Sequence, residues 1–341
     1  MRRDPSYAQD LIRFVGHLHA HAPRTQLARF AQESGLSPDD FSPCSPAFPG
    51  CVAAVDGSNA TVVESGSFSL IAARAAESAY RNGACIRRRR SPLRLFRIAP
   101  GTVSTEYEDV YEECTGFLPE TPLKSEDLSA AASVVRDMLE YWVAAQAVSS
   151  LQAGDCLLLD GSLRVSHASH EPLLLGVLGD AAKRGVGICA LTKRSSLTWG
   201  GGIPLVWTVE QYARDTGVPE PWYVPVPSGI VDQQRHAQWE HGDLYLAKLH
   251  RRAHSAFKLE VPHNGVADPA AAFAACAAYA GDGRIPGYPY PLLDAHRAVA
   301  IDADVALAIR QDLISGMGHV GLSARDYLQW FGDYHDEFAR Y

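Results

Sequence analysis

Cys51-Val52-Ala53-Ala54-Val55-Asp56-Gly57-Ser58 and Cys156-Leu157-Leu158-Leu159-Asp160-Gly161-Ser162 are the two stretches on which the reading of this chain turns. Each is a short apolar run that reads as a buried β-strand, and each ends in Asp-Gly-Ser. A carboxylate directly after a buried strand is held rigidly at a sheet edge. The glycine lets the chain turn sharply and lets a ligand approach the backbone. On neighbouring strands, spaced by about 4.8 Å, two such carboxylates would lie less than about 10 Å apart. Carboxylates that close repel unless a cation lies between them, and hard oxygen ligands favour Mg²⁺ or Mn²⁺. Asp, Gly and Ser are also the residues of ordinary turns. Either tripeptide alone therefore reads as a turn, whereas a matching pair after apolar strands points toward a metal site.

Working outward, the first 45 residues read as peripheral helix, with Leu11, Phe14, Val15 and Leu18 at helical spacing. His17, His19 and His21 spread around such a helix and read as surface residues. A Ser/Pro loop at 42–49 precedes the first strong strand. Phe68–Tyr80 is a strand or a helix, and Leu93–Ile98 is a strand candidate. Leu128–Val148 is a long amphipathic helix with Leu128, Ala131, Val135, Met138, Leu139 and Trp142 as its apolar stripe. After the second Asp-Gly-Ser come a helix over 171–183 and a strand over 186–191, with Lys193 just past it. Later strands are expected at 222–226, 244–249 and 256–261. Helices are expected at 269–280 and 292–314, separated by a Gly/Pro-rich loop. Mixed strands and helices predict an α/β chain with a mixed sheet. The expected organisation is a helical extension over 1–45, one main domain over 46–315 and a helical tail over 316–341.

Composition narrows the function classes. With 47% hydrophobic and 21% charged residues, the chain is expected to fold as a soluble globular protein. Its longest apolar run, 270–280, falls short of the about 20 residues of a membrane span, and no apolar signal-peptide core follows Arg2 and Arg3. A cytoplasmic protein without membrane association is expected. Seven scattered cysteines without a CxxC pair argue against a disulfide framework or a zinc ribbon, and Cys51, Cys156 and Cys189 read as buried thiols. The net charge of −8 removes the global attraction that many DNA binders use. One dense basic run, Arg87-Arg88-Arg89-Arg90, is either a local nucleic-acid contact or a solvated surface facing the acidic run at 106–113. His250 and His254 lie four apart but lack the glutamate of HExxH. No P-loop and no GxSxG elbow occurs.

The order Asp56-Gly57-Ser58, Glu140, Leu159-Asp160-Gly161-Ser162-Leu163, Lys193, then Gly287-Tyr288-Pro289-Tyr290-Pro291-Leu292 with His296 resembles the NurA nuclease family over roughly residues 50–305. The resemblance implies an RNase H-like mixed β-sheet core flanked by helices, with helical N- and C-terminal additions. It implies a Mn²⁺-dependent deoxyribonuclease, with Mg²⁺ as the alternative ion. The implied activity is of the 5′–3′ exonuclease and single-strand endonuclease type, used in DNA end resection and repair. The implied partners are DNA, a second copy in a homodimer and a HerA-type hexameric ATPase translocase. Asp56 and Asp160 match the metal-binding aspartates. Glu140 matches the acidic helix residue, with Glu126, Asp127 and Asp137 as rivals. Tyr288 and His296 match a C-terminal active-site pair, with Tyr290 as a rival for Tyr288. Lys193 matches a basic residue that either holds the scissile phosphate or is simply exposed. Two other function classes remain open on sequence: an actin-like phosphotransferase, disfavoured by the lack of a good glycine-rich adenosine loop, and a non-catalytic docking subunit of a DNA translocase.

Overall fold

The computed structural model describes residues 5–20, 23–65, 67–124, 126–227, 229–232, 240–263 and 268–332. Arg2, Arg3, His21 and the end of the tail, 333–341, lie outside the described residues. Along the chain run α1 (Pro5–Ala20), α2 (Pro23–Ser34), β1 (Ser42–Pro43), β2 (Val52–Glu64), β3 (Ser69–Arg81), β4 (Ala84–Arg90) and β5 (Arg94–Ile98). Then follow α3 (Thr105–Thr115), α4 (Leu128–Ser149), β6 (Cys156–Asp160), α5 (Glu171–Arg184), β7 (Gly187–Thr192), β8 (Thr198–Trp199) and β9 (Ile203–Pro204). The last elements are α6 (Leu205–Asp215), β10 (Trp222–Pro225), β11 (Gly242–Lys248), β12 (Phe257–Pro262), α7 (Pro269–Ala278), α8 (Tyr290–Val299), α9 (Ala303–His319) and α10 (Ala324–Phe331).

The chain divides into two units, 1–50 with 160–164 and 187–290, and 51–159 with 165–186 and 291–341. In the second, strands lie in the order β6-β2-β3-β4, with β5 also on β3. β2 runs parallel to β6, pairing Val52 with Cys156 through Val55 with Leu159, and antiparallel to β3. The sheet is therefore mixed, as the sequence predicts. β3 is rich in alanine: Ala72, Ala73, Ala75, Ala76 and Ala79 are all fully buried. Small side chains on alternate faces let helices approach both sides. On one side lies α4, capped by Asp127, whose side chain accepts from the Ser129 and Ala130 amides. Its Val135, Met138 and Leu139 are buried, and truncating such a side chain to alanine costs about 2–5 kcal/mol. On the other side α9 and α10 cover Val62, Val63 and Ala72 with Ile309, Val305, Tyr327 and Phe331.

In the first unit the strand order is β1-β10-β11-β12-β7, antiparallel throughout. Its core gathers Phe30 of α2, Trp199, Leu205 and Val209 of α6, and Trp222 and Leu246 of the sheet. A buried ion cluster joins the elements: Lys248 contacts Glu210 at 2.8 Å and Glu220 at 3.0 Å. Burial works against the Lys248 charge, but the two carboxylates outweigh it and raise its pKa.

Several expectations change. The first Asp-Gly-Ser does not end its strand. β2 continues for eight residues beyond Asp56, because Asp56, Gly57 and Ser58 keep their ladder with Ala76, Ala75 and Arg74 of β3. Only the parallel partner β6 stops there. The expected helix at 292–314 is two helices, and Asp302 caps the second by accepting from the Val305 amide. Its first half is tied down by Arg74, which donates to the Val299 and Ala300 carbonyls. The stretch Phe68–Tyr80 is a strand. His250 and His254 sit in the turn between β11 and β12. The expected apolar stripe of α1 is unpacked, with Leu11, Phe14 and Val15 exposed. Cys51, Cys156 and Cys189 are buried free thiols, as expected. Among the described residues no helix is long and apolar enough to cross a membrane.

Candidate active site

In the second unit, the site residues are set by the alternation of β2. Asp56 points to the side that carries α8, and its Oδ2 lies 2.8 Å from Nδ1 of His296. The carboxylate is 4% exposed and the imidazole 52%, so the pair is a buried acid beneath a solvent-facing base. Asp56 Oδ1 also accepts from the Gly57 amide at 2.8 Å, which fixes the rotamer. Gly57 points to the opposite side, under α4. A Cβ there would lie 2.5 Å from Oε1 of Glu140 and 2.9 Å from Cγ of Arg136. The glycine is thus required by close approach, not by backbone conformation, and the cradle it leaves is filled by a carboxylate.

Glu140 and Arg136 are one helical turn apart on α4 and form an ion pair at 3.3 Å. Arg136 also reaches Asp137 at 2.6 Å. Burial disfavours its charge, yet Glu140, Asp137 and Asp56 together overcome this and raise its pKa. Of the rivals to Glu140, Asp127 is spent on capping α4, Glu126 lies against Gly101, and Asp137 is held by Arg136 and by Ser166, which donates at 2.8 Å. Glu140 alone of the four sits over the Asp56-Gly57 peptide.

In the first unit, Asp160 is the last residue of β6, one step past Leu159, as Asp56 is one step past its register partner Val55. Gly161 follows with φ of +113°, a conformation that other residues rarely adopt. The segment is tied by three bonds. The Gly161 amide donates to the Leu191 carbonyl at 2.9 Å, Thr192 Oγ1 donates to the Gly161 carbonyl at 2.6 Å, and the Leu163 amide donates to Glu260 Oε2 at 2.5 Å. Lys193 follows β7 and donates from Nζ to Asp160 Oδ2 at 2.6 Å. The same ammonium stands 5.7 Å from the ring centroid of the nearly buried Tyr288. Tyr290, the rival, instead stacks with Arg284 at 5.0 Å.

The structure thus gathers Asp56, His296, Glu140 and Arg136 in one unit, and Asp160, Lys193 and Tyr288 in the other. Arg136 and Glu260 were missed from sequence. The four-residue spacing of Arg136 and Glu140 was a usable signal, and so was a lone carboxylate at 260 inside an apolar strand. Arg87 to Arg90 do not form one patch. They alternate along β4, so that Arg87 and Arg89 reach the buried Glu77 while Arg88 pairs with Asp294 at 2.7 Å. That pairing, with Tyr80, overcomes burial and lowers the Asp294 pKa.

Hard carboxylate oxygens are the donor set that Mg²⁺ or Mn²⁺ takes, and each of the three acids already faces a cation or an imidazole. Among the described residues, however, no group of three or more His, Cys, Asp or Glu side chains is gathered to hold a metal ion. Glu140, on α4, packs over Gly57 on the side of β2 opposite to the Asp56 side chain, and Asp160 is turned onto Lys193.

No protein-family model matches the sequence, and no curated protein matches it. Among solved structures, the NurA nuclease from Sulfolobus solfataricus aligns with a TM-score of 0.53 at 13% identity, over 93% of this chain and 98% of that one. Endonuclease V of Ciona intestinalis, solved with a DNA containing inosine, gives 0.41 at 12% identity over 81% and 96%. An Argonaute from A. aeolicus gives 0.36 at 8% identity over 74% and 28%. The mixed sheet of β6, β2 and β3 between helices, aligned over 93% of this chain with the first of these structures, shows that the chain shares its fold, a mixed α/β sheet flanked by helices.

Proposed function

We propose that this chain is a divalent-metal-dependent deoxyribonuclease that hydrolyses phosphodiester bonds. The observation that carries the reading is the register of β2 and β6. Two aspartates, more than a hundred residues apart in sequence, each stand one step beyond a hydrogen-bonded pair, Val55 and Leu159. The likeness to NurA nucleases makes Asp56, Asp160 and Glu140 the candidate acids for the ion, with Mn²⁺ preferred and Mg²⁺ tolerated, although among the described residues these side chains are not gathered around one point. When bound, the ion supplies Lewis-acid polarisation and a water of lowered pKa.

The remaining chemistry belongs to the side chains. A phosphodiester is anionic and resists attack. Lys193, an ammonium on a flexible stem beside Asp160, would offset charge that builds on the phosphate. Tyr288 backs that ammonium with an aromatic face. His296 is oriented through Nδ1 by the buried Asp56 and presents its other edge to solvent, where it would accept or donate a proton. Arg136 pairs with Glu140 and helps hold it in place above Gly57. The likeness to NurA nucleases extends the proposal to 5′–3′ exonuclease and single-strand endonuclease action in end resection and repair. It also extends it to a homodimer and to a HerA-type hexameric ATPase as the source of DNA grip that a chain of net charge −8 lacks.

Labelled single- and double-stranded DNA, incubated with the purified chain in Mn²⁺ and in EDTA, tests this. Cleavage in Mn²⁺ that EDTA abolishes is expected. No cleavage in Mn²⁺, alone or with a cognate ATPase, overturns the assignment.

A further inference from the structure

Beyond the acidic site, one cavity in the second unit is unaccounted for. It has a volume of about 310 Å³ and lies between β2 and the first two turns of α4. Asn59, Thr61, Glu64, Ser69, Ser129 and Ser133 line it. Asn59 and Gly57 lie on the same side of β2, two residues apart. The Asn59 amide donates to the Ala132 carbonyl at 2.5 Å, which fixes its plane at the cavity edge. On α4, Glu140 and Arg136 sit above Gly57, and Ser133 and Ser129 follow on successive turns toward the N-terminus. The cavity therefore continues a track that begins at Glu140. At 1.5 Å per residue, Ser133 and Ser129 are about 10 and 16 Å along the helix from Glu140. At about 3.3 Å per residue, Thr61 is about 13 Å along the strand from Gly57.

The lining chooses the ligand. Among the described residues no Lys or Arg lines the cavity, Glu64 is negative, and the amides of Ser129 and Ala130 at the start of α4 are already taken by Asp127. A phosphate is therefore disfavoured there. Hydroxyls, one carboxamide and one carboxylate suit neutral hydrogen-bonding groups with both donors and acceptors, which are a sugar and the edge of a base. The volume is at the lower limit of ligand pockets and admits one nucleoside, not a duplex. Arg136 lies on α4 between Ser133 and Glu140, with its guanidinium paired to Asp137 and Glu140.

We propose that this cavity is a substrate subsite that seats the sugar and base of one nucleotide, a few nucleotides from the bond that is cut. The proposal rests on the nuclease reading and adds a requirement for a single strand along α4. The subsite sets the shortest DNA that binds well, and with it a preference for unpaired ends.

The test measures binding without cleavage. Fluorescein-labelled oligodeoxythymidylates of two to ten nucleotides are titrated into the full chain in EDTA and followed by anisotropy. Wild type is expected to gain affinity abruptly, by about tenfold, a difference of about 1.4 kcal/mol, once the oligonucleotide is long enough to reach the cavity. Ser133→Trp, which fills the cavity from the helix, is expected to remove that step while the melting temperature holds. Thr61→Trp fills it from the strand and serves if the first variant does not fold. Affinity that rises smoothly with length in wild type, or a step that survives in a folded tryptophan variant, overturns the subsite. If wild type cleaves DNA while the step survives in the variant, the subsite is lost and the nuclease reading stands. If wild type neither binds nor cleaves DNA, both fall.

Discussion

The two Asp-Gly-Ser segments are identical in sequence and different in physics. Asp56-Gly57-Ser58 lies inside a thirteen-residue strand with its antiparallel ladder intact. Its glycine is there because Glu140 occupies the space of a Cβ. Asp160-Gly161-Ser162 ends a five-residue strand. Its glycine is there because the backbone adopts φ of +113°, and nothing lies within 4 Å of a Cβ built on it. The same three letters thus mark a close approach in one place and a turn in the other. What the segments share is the aspartate, buried or half-buried and paired with a proton-bearing side chain: His296 for Asp56 and Lys193 for Asp160. A turn needs no such partner, and that common feature favours chemistry over punctuation.

The comparison breaks at once if the aspartates are dispensable. Asp160→Ala and Asp56→Ala are each expected to lower the Mn²⁺-dependent cleavage rate by at least about a thousandfold, a barrier change of about 4 kcal/mol. Single-turnover rates on a labelled oligonucleotide measure it. Either variant cleaving at the wild-type rate returns its tripeptide to the status of an ordinary structural segment.

The glycines sharpen the comparison, because the same substitution has different signatures at the two sites. Gly57→Ala pushes a methyl group into Glu140 and Arg136. Oε1 of Glu140 can swing away, but Cγ of Glu140 at 2.7 Å and Cγ of Arg136 at 2.9 Å lie near the helix backbone, so the substitution costs about 1–3 kcal/mol of folding free energy and also displaces the carboxylate. Cleavage is expected to fall about 10- to 100-fold, since a small misplacement of a positioned group costs that much. Gly161→Ala meets open space but a strained φ, costing about 1–3 kcal/mol of folding free energy. Urea unfolding midpoints and cleavage rates, measured side by side, separate the two. Equal losses in both quantities at both positions would erase the distinction.

The same contrast explains how far the sequence could be read. Val52 to Val55, β6, α4 and α5 carry clean apolar patterns, and the structure places them where those patterns say. The continuation of β2 was hidden, because Asp, Gly, Ser and Asn are poor strand formers in isolation. They stay in the strand here only because β3 offers a row of alanines opposite. β4 was hidden for a related reason: four consecutive arginines carry no apolar alternation. They form a strand because alternate guanidiniums reach Glu77 on one face and Asp294 on the other. The aspartates, Glu140, Lys193, Tyr288 and His296 are legible as residues. Their grouping is not, because which side of β2 Asp56 faces depends on β2 continuing past it, whereas an Asp-Gly-Ser reads as the end of a strand.

The chains leaving the two segments differ as well, and the smallest effect concerns that difference. After the first, β2 simply continues. After the second, the chain reaches a turn at 167–170 built on an aromatic and imidazole cluster. Tyr107 bonds to Ser169 at 2.7 Å and to Nε2 of His170 at 3.3 Å, and Tyr111 donates to the Ser169 carbonyl at 2.8 Å. His170 is fully buried, and among the described residues its Nδ1 has no hydrogen-bond partner. Burial, with a smaller push from His167, lowers its pKa to about 3. The folded chain therefore keeps His170 neutral, while the unfolded chain takes up a proton near pH 6.5. Between those values the unfolded state binds more protons, so stability is full above about pH 6.5 and falls as the pH drops toward 3. The slope approaches about 1.4 kcal/mol per pH unit from this one group, so about 1 kcal/mol is lost over the first unit below 6.5. Urea midpoints of wild type and His170→Gln at pH 7.5, 6.5 and 5.5 measure it. The glutamine variant is expected to be less stable at pH 7.5 and to lose less on acidification. Parallel losses in the two proteins would assign the slope to other groups and leave the anchor after the second Asp-Gly-Ser insensitive to pH.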